Sequence, residues 1–360
     1  MIFRILMYSS VMDSFIKAPE TEVLFAKNYD DLSFHIGKYG TNVLWVVDET
    51  TAKMVRPLPE PNVILPVGEK NKVWDSVSII LKEASRNKLG RDTRFIGFGG
   101  GVICDLTAFA ASIFMRGCTL TLIPTTLLAM VDASLGGKTG IDFCNTKNLV
   151  GTFYPADEVL ICPETLGSLP PRELKNGLAE VIKHSLLSKN DALYILLVQN
   201  KNQILAKNPE IIKKVILLSL QIKSDFILQD PLETKGIRTG LNLGHTFAHA
   251  LESHSRMMTW SHGESVAWGV CRALEAGVKL GITDKPFADG AAKLFLFYDY
   301  DIGFRLNRGE WLDFKDQLLS DKKKVNGQLR FVLLKSQGDF VSMPLDLNMV
   351  RDLVIKQPLA

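Results

Sequence analysis

Short, almost wholly apolar runs mark the first half of the chain, and apolar residues at helical spacing mark the second. Residues 42–47 (NVLWVV), 62–65 (NVIL), 94–98 (RFIGF), 119–123 (TLTLI) and 159–162 (VLIC) are brief and apolar on successive positions. Runs of that kind are expected as parallel strands buried on both faces. Residues 73–88 are amphipathic at helical period, and an Ala-rich helix, LTAFAASIFM, follows the third run. Pro163, Pro170 and Pro171 then punctuate the chain. Beyond them the period is helical over 172–187, 209–230 and from His245 to about Tyr298, with one late strand at 329–334. The pattern predicts an α/β N-terminal domain with a mostly parallel sheet over 1–163 and a mainly α-helical C-terminal domain over 164–360. Residues 1–40 offer two apolar segments that could pair at a sheet edge.

Composition narrows the classes. At 360 residues and 46% hydrophobic content the chain exceeds what one core usually serves, so two domains are expected. The net charge of +3 comes from 42 basic and 39 acidic residues without a long single-sign block, which argues against nucleic-acid or membrane-surface binding. Five cysteines, at 104, 118, 144, 162 and 271, include no C-x-x-C pair, as suits reduced thiols and a cytoplasmic protein. The apolar first twelve residues are interrupted by Arg4 and followed by no usual cleavage site. The uncharged stretch 117–131 contains Pro124 and is too short to span a bilayer.

Candidate chemistry falls where strands end and helices begin. Strand 94–98 runs into Gly99-Gly100-Gly101-Val102-Ile103-Cys104-Asp105 and then a helix, which brings backbone N–H groups and a positive helix end to an anion such as a pyrophosphate. It is not the G-x-G-x-x-G fingerprint, and a plain glycine turn is the competing reading. Asp48 ends one strand and Thr125-Thr126 follow another, with hydroxyls suited to a nucleotide. Gly136-Gly137 allows close backbone approach and Lys138 adds charge. Asp132, in apolar surroundings, needs a partner, either Lys138 or a ligand hydroxyl. Arg116 ends an apolar helix, where it could simply cap the last carbonyls.

The six histidines are unevenly spread, with four at 245, 249, 254 and 262. His245 and His249 share one face of the helix after Gly244, and His262 opens the next helix beside Gly263 and Glu264. Such a cluster suits zinc or a phosphate, although H-x3-H also occurs as two satisfied histidines. Glu180 and His184 share a face with Lys183 adjacent, an arrangement that a surface ion pair would also give. The lysines at 322–324 read as a solvated charge run.

Taken in order, GEKNK at 68–72, GGGVICD at 99–105, FMRG at 114–117, PTTLLAMVDASLGGKTG at 124–140, KN at 147–148, GLAEVIK at 177–183, RTGLNLGHTFAHA at 238–250, HGE at 262–264 and DKK at 321–323 resemble the 3-dehydroquinate synthases of the sugar-phosphate cyclase group. The resemblance covers nearly the whole chain after residue 40. It implies a nucleotide-binding first domain that holds NAD through Asp48, Glu69, Lys72, Gly99, Gly100, Gly101, Val102, Asp105, Thr125 and Thr126, with Asp132, Lys138, Lys147, Ser168, Leu169 and Glu173. It implies Zn2+ or Co2+ on Glu180, His245 and His262. Substrate, a sugar acid phosphate, would meet Asp132, Lys138, Lys147, Asn148, Lys183, Lys223, Arg238, Asn242, His249 and Lys322 or Lys323, with Arg116 reaching in from the other subunit of a homodimer. The implied reaction converts 3-deoxy-D-arabino-heptulosonate 7-phosphate to 3-dehydroquinate and phosphate, with NAD restored at the end. This is the second step of the shikimate route to chorismate and aromatic amino acids.

Four positions depart from the family's usual pattern: Cys104 and Ala248 stand where glycine is commoner, Ser168 replaces a threonine, and one extra residue separates Lys223 from Arg238. Another sugar-phosphate cyclase or a metal-dependent polyol dehydrogenase of the same architecture is the nearest alternative. A metal hydrolase would leave the glycine turn idle, and a silent binding protein would not need the full set of ionisable positions.

Overall fold

The computed structural model describes residues 21–144, 146–255, 259–320, 324–325 and 328–356. Packing divides the chain into two compact units: residues up to Leu174 together with Lys207–Leu232, and Lys175–Ala206 together with the residues from Glu233 onward. This differs from a single cut at 163/164. The helix predicted over 209–230 packs with the first unit, because periodicity reveals an apolar face but not which core takes it.

The first unit is wound on six strands: β1 (Glu22–Phe25), β2 (Val43–Asp48), β3 (Asn62–Leu65), β4 (Arg94–Gly99), β5 (Thr119–Pro124) and, after a hairpin of β6 (Ile141–Phe143) and β7 (Thr146–Val150), β8 (Glu158–Ile161). They pair in the order β1-β8-β5-β4-β2-β3, and every pairing in that sheet is parallel. The runs in β2, β4, β5 and β8 are buried as expected, with Leu44, Val46, Val47, Phe95, Ile96 and Phe98 wholly enclosed; the run at 62–65 is instead the edge strand β3, which leaves one face uncovered and Ile64 52% exposed. Of the expected edge segments, Glu22–Phe25 is the edge strand β1; residues 1–20 lie outside the described residues. Helices α1 (Tyr29–Ile36), α2 (Trp74–Arg86) and α3 (Gly101–Ile113) intervene between strands. A π-helical turn, Ala129–Ala133, follows β5. Strands β3 and β4 leave β2 on opposite sides, so the winding reverses between β2 and β4, where open α/β sheets receive ligands at the carboxyl ends of their strands.

Helix α4 (Pro171–Leu187) carries the chain into the second unit. There α5 (Ala192–Gln199) and α6 (Lys201–Leu205) precede the return to the first unit through α7 (Pro209–Gln229). The second unit resumes with α8 (His245–His254), α9 (His262–Lys279), α10 (Lys285–Phe297), α11 (Trp311–Ser320), the strand pairs β9 (Lys324–Val325) with β10 (Gln328–Leu329) and β11 (Phe331–Ser336) with β12 (Asp339–Met343), and α12 (Leu347–Val354). Its centre is α9, buried along most of its length, with Trp268 in edge-on contact with Phe247 of α8 and Phe314 of α11. The late strand expected at 329–334 is divided between β10 and β11. Among the described residues no helix is long and apolar enough to cross a membrane.

Candidate active site

In the first unit the candidates gather at the carboxyl ends of β2, β4 and β5. Gly100, with φ −75° and ψ −173°, is the N-cap of α3; no side chain caps that end, and its first turn carries no acidic residue. The leading N–H groups of the helix therefore face outward with a positive partial charge, as an anionic phosphate requires. At the end of β2, Asp48 Oδ1 accepts hydrogen bonds from the backbone of Thr50 and Thr51, both at 2.8 Å. Thr125 is buried, and its N–H reaches the Gly99 carbonyl at 2.9 Å, while the Thr126 hydroxyl accepts from Ala129 N–H at 3.1 Å. Leu169, after the turn containing Ser168, has its carbonyl held by Lys207 Nζ at 2.6 Å. Glu173 lies in the first turn of α4.

A charged network adjoins this end. Buried Lys72 contacts Asp105 at 2.5 Å and donates to the Asn148 side chain at 2.5 Å. Burial alone would discharge Lys72, but Asp105 and then Glu69 hold its pKa above the ordinary lysine value. Lys147 stands 3.8 Å from Glu69. Asn148 takes a left-handed φ of +49°, and its N–H donates to Asp142 Oδ1 at 2.9 Å; Asp142 N–H in turn reaches the Lys72 carbonyl at 2.7 Å. Asp142 thus pins the β6–β7 hairpin and with it Lys147 and Asn148. The sequence reading passed over it, because a short irregular hairpin leaves no periodic signal. Asp132, in the π-helical turn, is paired with Lys223 of α7. Where the sequence offered Lys138 or a ligand hydroxyl as its partner, the structure supplies Lys223, which is 5% exposed, while Lys138 is exposed beyond Gly136-Gly137. Arg116, exposed, follows Met115 at the end of α3, and both have positive φ, +50° at Met115 and +67° at Arg116.

The second unit brings its candidates together on three helices. Glu180 and Lys183 lie one turn apart on α4, with His184 next in the chain, and all three are buried, so the surface ion pair is excluded. Gly244 permits the approach of α8 to α9: its φ is +76°, and a Cβ there would lie 2.4 Å from Val270 N. Gly263 does the same between α9 and α4, where a Cβ would meet Asn176 Cα at 2.5 Å; its N–H donates to the Asn176 side chain at 3.1 Å. Ser261 and Glu264 form a reciprocal capping box that starts α9 with His262 as its first residue.

The result is a convergence of side chains. Glu180, His245 and His262 each present one ligand atom, all within 4.8 Å of one another. Glu180 Oε1 lies 3.3 Å from His245 Nε2 and 3.2 Å from His262 Nε2. The far nitrogens are engaged: His245 Nδ1 meets the Leu243 carbonyl at 3.2 Å, and His262 Nδ1 meets Glu252 Oε1 at 2.9 Å. With Nδ1 engaged on each ring, loss of the Nε2 proton to a metal ion would leave both Nε2 lone pairs facing inward, the tautomer such an ion requires. Burial pushes Glu180 toward neutrality, but Lys183 and then the two imidazoles hold its pKa well below the usual carboxylate range. His262, which burial alone would discharge, is carried to about 10 by its hydrogen bonds to Glu180 and Glu252. Two carboxylates around two imidazoles call for a cation among them, a proton or a divalent ion, so the donor set fits zinc or cobalt.

The remaining candidates of this unit lie nearby in the chain. The His249 ring centroid is 5.5 Å from that of His245. Lys183 Nζ pairs with Glu180 and donates to the Leu241 carbonyl at 2.6 Å. Asn242 donates to Glu233 Oε1 at 2.7 Å, and Arg238 is 2% exposed. Lys322 and Lys323 lie outside the described residues. Glu252 and Glu233 were missed from sequence; Glu252 carried a usable signal, since 245, 249 and 252 repeat at i, i+4 and i+7 on one helical face.

Comparison with known proteins places this fold in a class, that of two-domain synthases. Residues 62–176 match the family model described as 3-dehydroquinate synthase N-terminal, and residues 177–324 match 3-dehydroquinate synthase C-terminal. The 3-dehydroquinate synthase of Dictyoglomus turgidum is 40% identical over 284 residues, 78% of each chain. That of Acidithiobacillus ferrooxidans (strain ATCC 53993) is 37% identical over 304 residues, 84% of this chain and 82% of the relative. The chain belongs to the 3-dehydroquinate synthase family. Solved structures share the fold at low identity. A 2-deoxy-scyllo-inosose synthase complexed with carbaglucose-6-phosphate, NAD+ and Co2+ superposes with a TM-score of 0.82 at 21% identity, covering 92% of this chain and 95% of the other. A 2-epi-5-epi-valiolone synthase from Streptomyces hygroscopicus subsp. jinggangensis 5008, with NAD+ and Zn2+ bound, gives 0.82 at 22% identity, covering 97% and 98%.

Proposed function

We propose that this protein is a 3-dehydroquinate synthase, converting 3-deoxy-D-arabino-heptulosonate 7-phosphate to 3-dehydroquinate and phosphate with NAD and a divalent metal. The observation that carries the reading is the buried convergence of Glu180, His245 and His262, in a chain whose family match spans both units. In this reading the first unit is the NAD-binding domain and the second the metal- and substrate-binding domain. The open N-terminus of α3 takes the pyrophosphate, and Asp48, Glu69, Lys72, Asp105, Thr125 and Thr126 line the nucleotide's place at the strand ends. Ser168, Leu169 and Glu173 complete it, and Asp132, Lys138 and Lys147 stand between cofactor and substrate. Glu180, His245 and His262 hold Zn2+ or Co2+ with positions left for substrate oxygens. When bound, NAD supplies a reversible hydride acceptor, and the metal supplies Lewis-acid polarisation of vicinal oxygens.

The chain's own groups then bind and orient. Lys183, Arg238, Asn242 and Asn148 hydrogen-bond the carboxylate and hydroxyls of the substrate, with Lys322 or Lys323, while Lys223, held by Asp132, adds positive charge. His249, half-buried and outside the ligand triad, exchanges a proton with substrate. Incubating the protein with the heptulosonate phosphate, NAD and Zn2+ should release inorganic phosphate with no net NADH. Stoichiometric NADH would instead select a polyol dehydrogenase.

The reading includes a cytoplasmic homodimer in which Arg116 grips the substrate phosphate of the neighbouring subunit. It is supported by the setting of Arg116: Met115, Leu149 and Phe153 are 52%, 43% and 46% exposed, and Ser112 at the end of α3 accepts a hydrogen bond from Thr152 at 2.9 Å. Exposed apolar groups on these two segments suit contact with a second copy. R116A and E180A should each be inactive. Co-refolded in equal amounts, they should recover about a quarter of wild-type sites, as random two-fold pairing gives. No recovery, with heterodimers shown to form, would return Arg116 to its own subunit.

A further inference from the structure

We infer that Glu252 is a positioning residue of the metal centre, and that its negative charge, set behind His262, is what makes this ligand strong. The inference rests on the reading of Glu180, His245 and His262 as metal ligands. Its own ground is an asymmetry between the two imidazoles. His245 Nδ1 donates to a neutral carbonyl, that of Leu243, at 3.2 Å, whereas His262 Nδ1 donates to a carboxylate at 2.9 Å. Glu252 is 2% exposed. A carboxylate so enclosed is costly unless a positive group stands beside it. Packing alone would be served as well by an apolar side chain of that size.

The geometry gives the charge a use. An imidazole that donates to a carboxylate is a more electron-rich ligand through its other nitrogen, and its ring is fixed in one tautomer and one orientation. His262 benefits most, because it is the first residue of α9 and its side chain is 27% exposed, against 11% for His245. With Glu180, Glu252 brings two negative charges to the place of a divalent ion. Lys183, paired with Glu180, then leaves an excess positive charge suited to an anionic substrate.

The test uses Co2+ with the full-length protein, measuring the dissociation constant against a chromophoric chelator and recording the visible d–d spectrum. E252A and E252Q should both bind Co2+ roughly 10- to 100-fold more weakly, the usual cost of losing such a partner, with an altered spectrum. E252D should recover part of the loss. Thermal unfolding of the metal-free forms is followed in parallel, since a merely structural glutamate would lower that transition and leave the Co2+ constant of the folded protein unchanged. Unchanged affinity and spectrum in E252A overturn the inference; if E252A does not fold, the same result in E252Q does so. Failure of the underlying reading looks different: wild type would bind no stoichiometric Co2+, or H245A would bind it as tightly as wild type.

Discussion

Two helices begin beside the candidate chemistry, and they begin in opposite ways. Helix α3 opens on Gly100 with no side-chain cap and no acidic residue in its first turn. Helix α9 opens on Ser261, whose hydroxyl and Glu264 close a capping box, with His262 as the first residue. Both ends have the same unsatisfied N–H groups and the same positive partial charge. In the first unit no side chain takes them up, whereas in the second a capping box does so and the end carries an imidazole. The α3 end is thus a backbone feature, and the Glu180, His245 and His262 cluster a side-chain one. Substitutions should act on the first through charge and on the second through ligand identity.

The largest effect is expected on the side-chain cluster. E180Q and H262A should lose metal and, with it, a Lewis-acid contribution of several kcal/mol, roughly a thousandfold in turnover. Both should remain folded, because α4, α8 and α9 are buried against their own core. H249A should keep its metal and slow by roughly 10²-fold or more, as loss of a general acid–base does. Metal analysis of the purified variants separates the two cases, and a metal-free H249A would make His249 a ligand.

The backbone feature should respond to a charge placed where none now stands. Gly100 has φ −75°, and the nearest atom to an added Cβ is Thr126 Cγ2 at 3.3 Å, so G100D needs only a slight adjustment. The new carboxylate would cap α3 and leave stability within a few tenths of a kcal/mol. It would also set like charge against a pyrophosphate, costing several kcal/mol, so NAD should bind roughly a hundredfold or more weakly. Calorimetric titration with NAD checks this. Undiminished affinity would mean that the nucleotide's phosphates lie elsewhere.

How much could be read from the chain alone follows the same division. Strands β2, β4, β5 and β8 were legible because a strand covered on both faces needs a mostly apolar run, and LWVV or VLIC supplies one. The glycine turn and the H-x3-H face were legible because local spacing alone creates them. What was not legible depends on pairing across the chain. Nothing near Asp142 shows that its carboxylate will receive Asn148 N–H across an irregular hairpin. Nothing in the period of α7 shows that Lys223 will meet Asp132. Glu252 sat in plain view on the histidine face, but a glutamate on a helix is read first as solvated, and only burial reveals it.

The smallest effect tests whether the cap of α9 aims His262 or only stabilises the helix. In S261A the hydroxyl that accepts from Glu264 N–H is gone, while Glu264 Oε2, which accepts from residue 261 N–H at 2.8 Å, remains. Loss of such a cap costs about 1 kcal/mol. In a unit of this size that amounts to roughly 2–4 °C in the unfolding transition, and saturating Zn2+ should mask much of it by binding the native state alone. His262, however, is held from two further sides. Gly263 N–H is anchored to Asn176 at 3.1 Å, and the imidazole itself to Glu252 at 2.9 Å. S261A should therefore keep its Zn2+ or Co2+ constant within about threefold, well below the 10- to 100-fold range of a lost ligand partner. A fall in affinity matching that of H262A would show that the helix end itself, rather than the contacts from α4 and α8, sets the direction of the ligand.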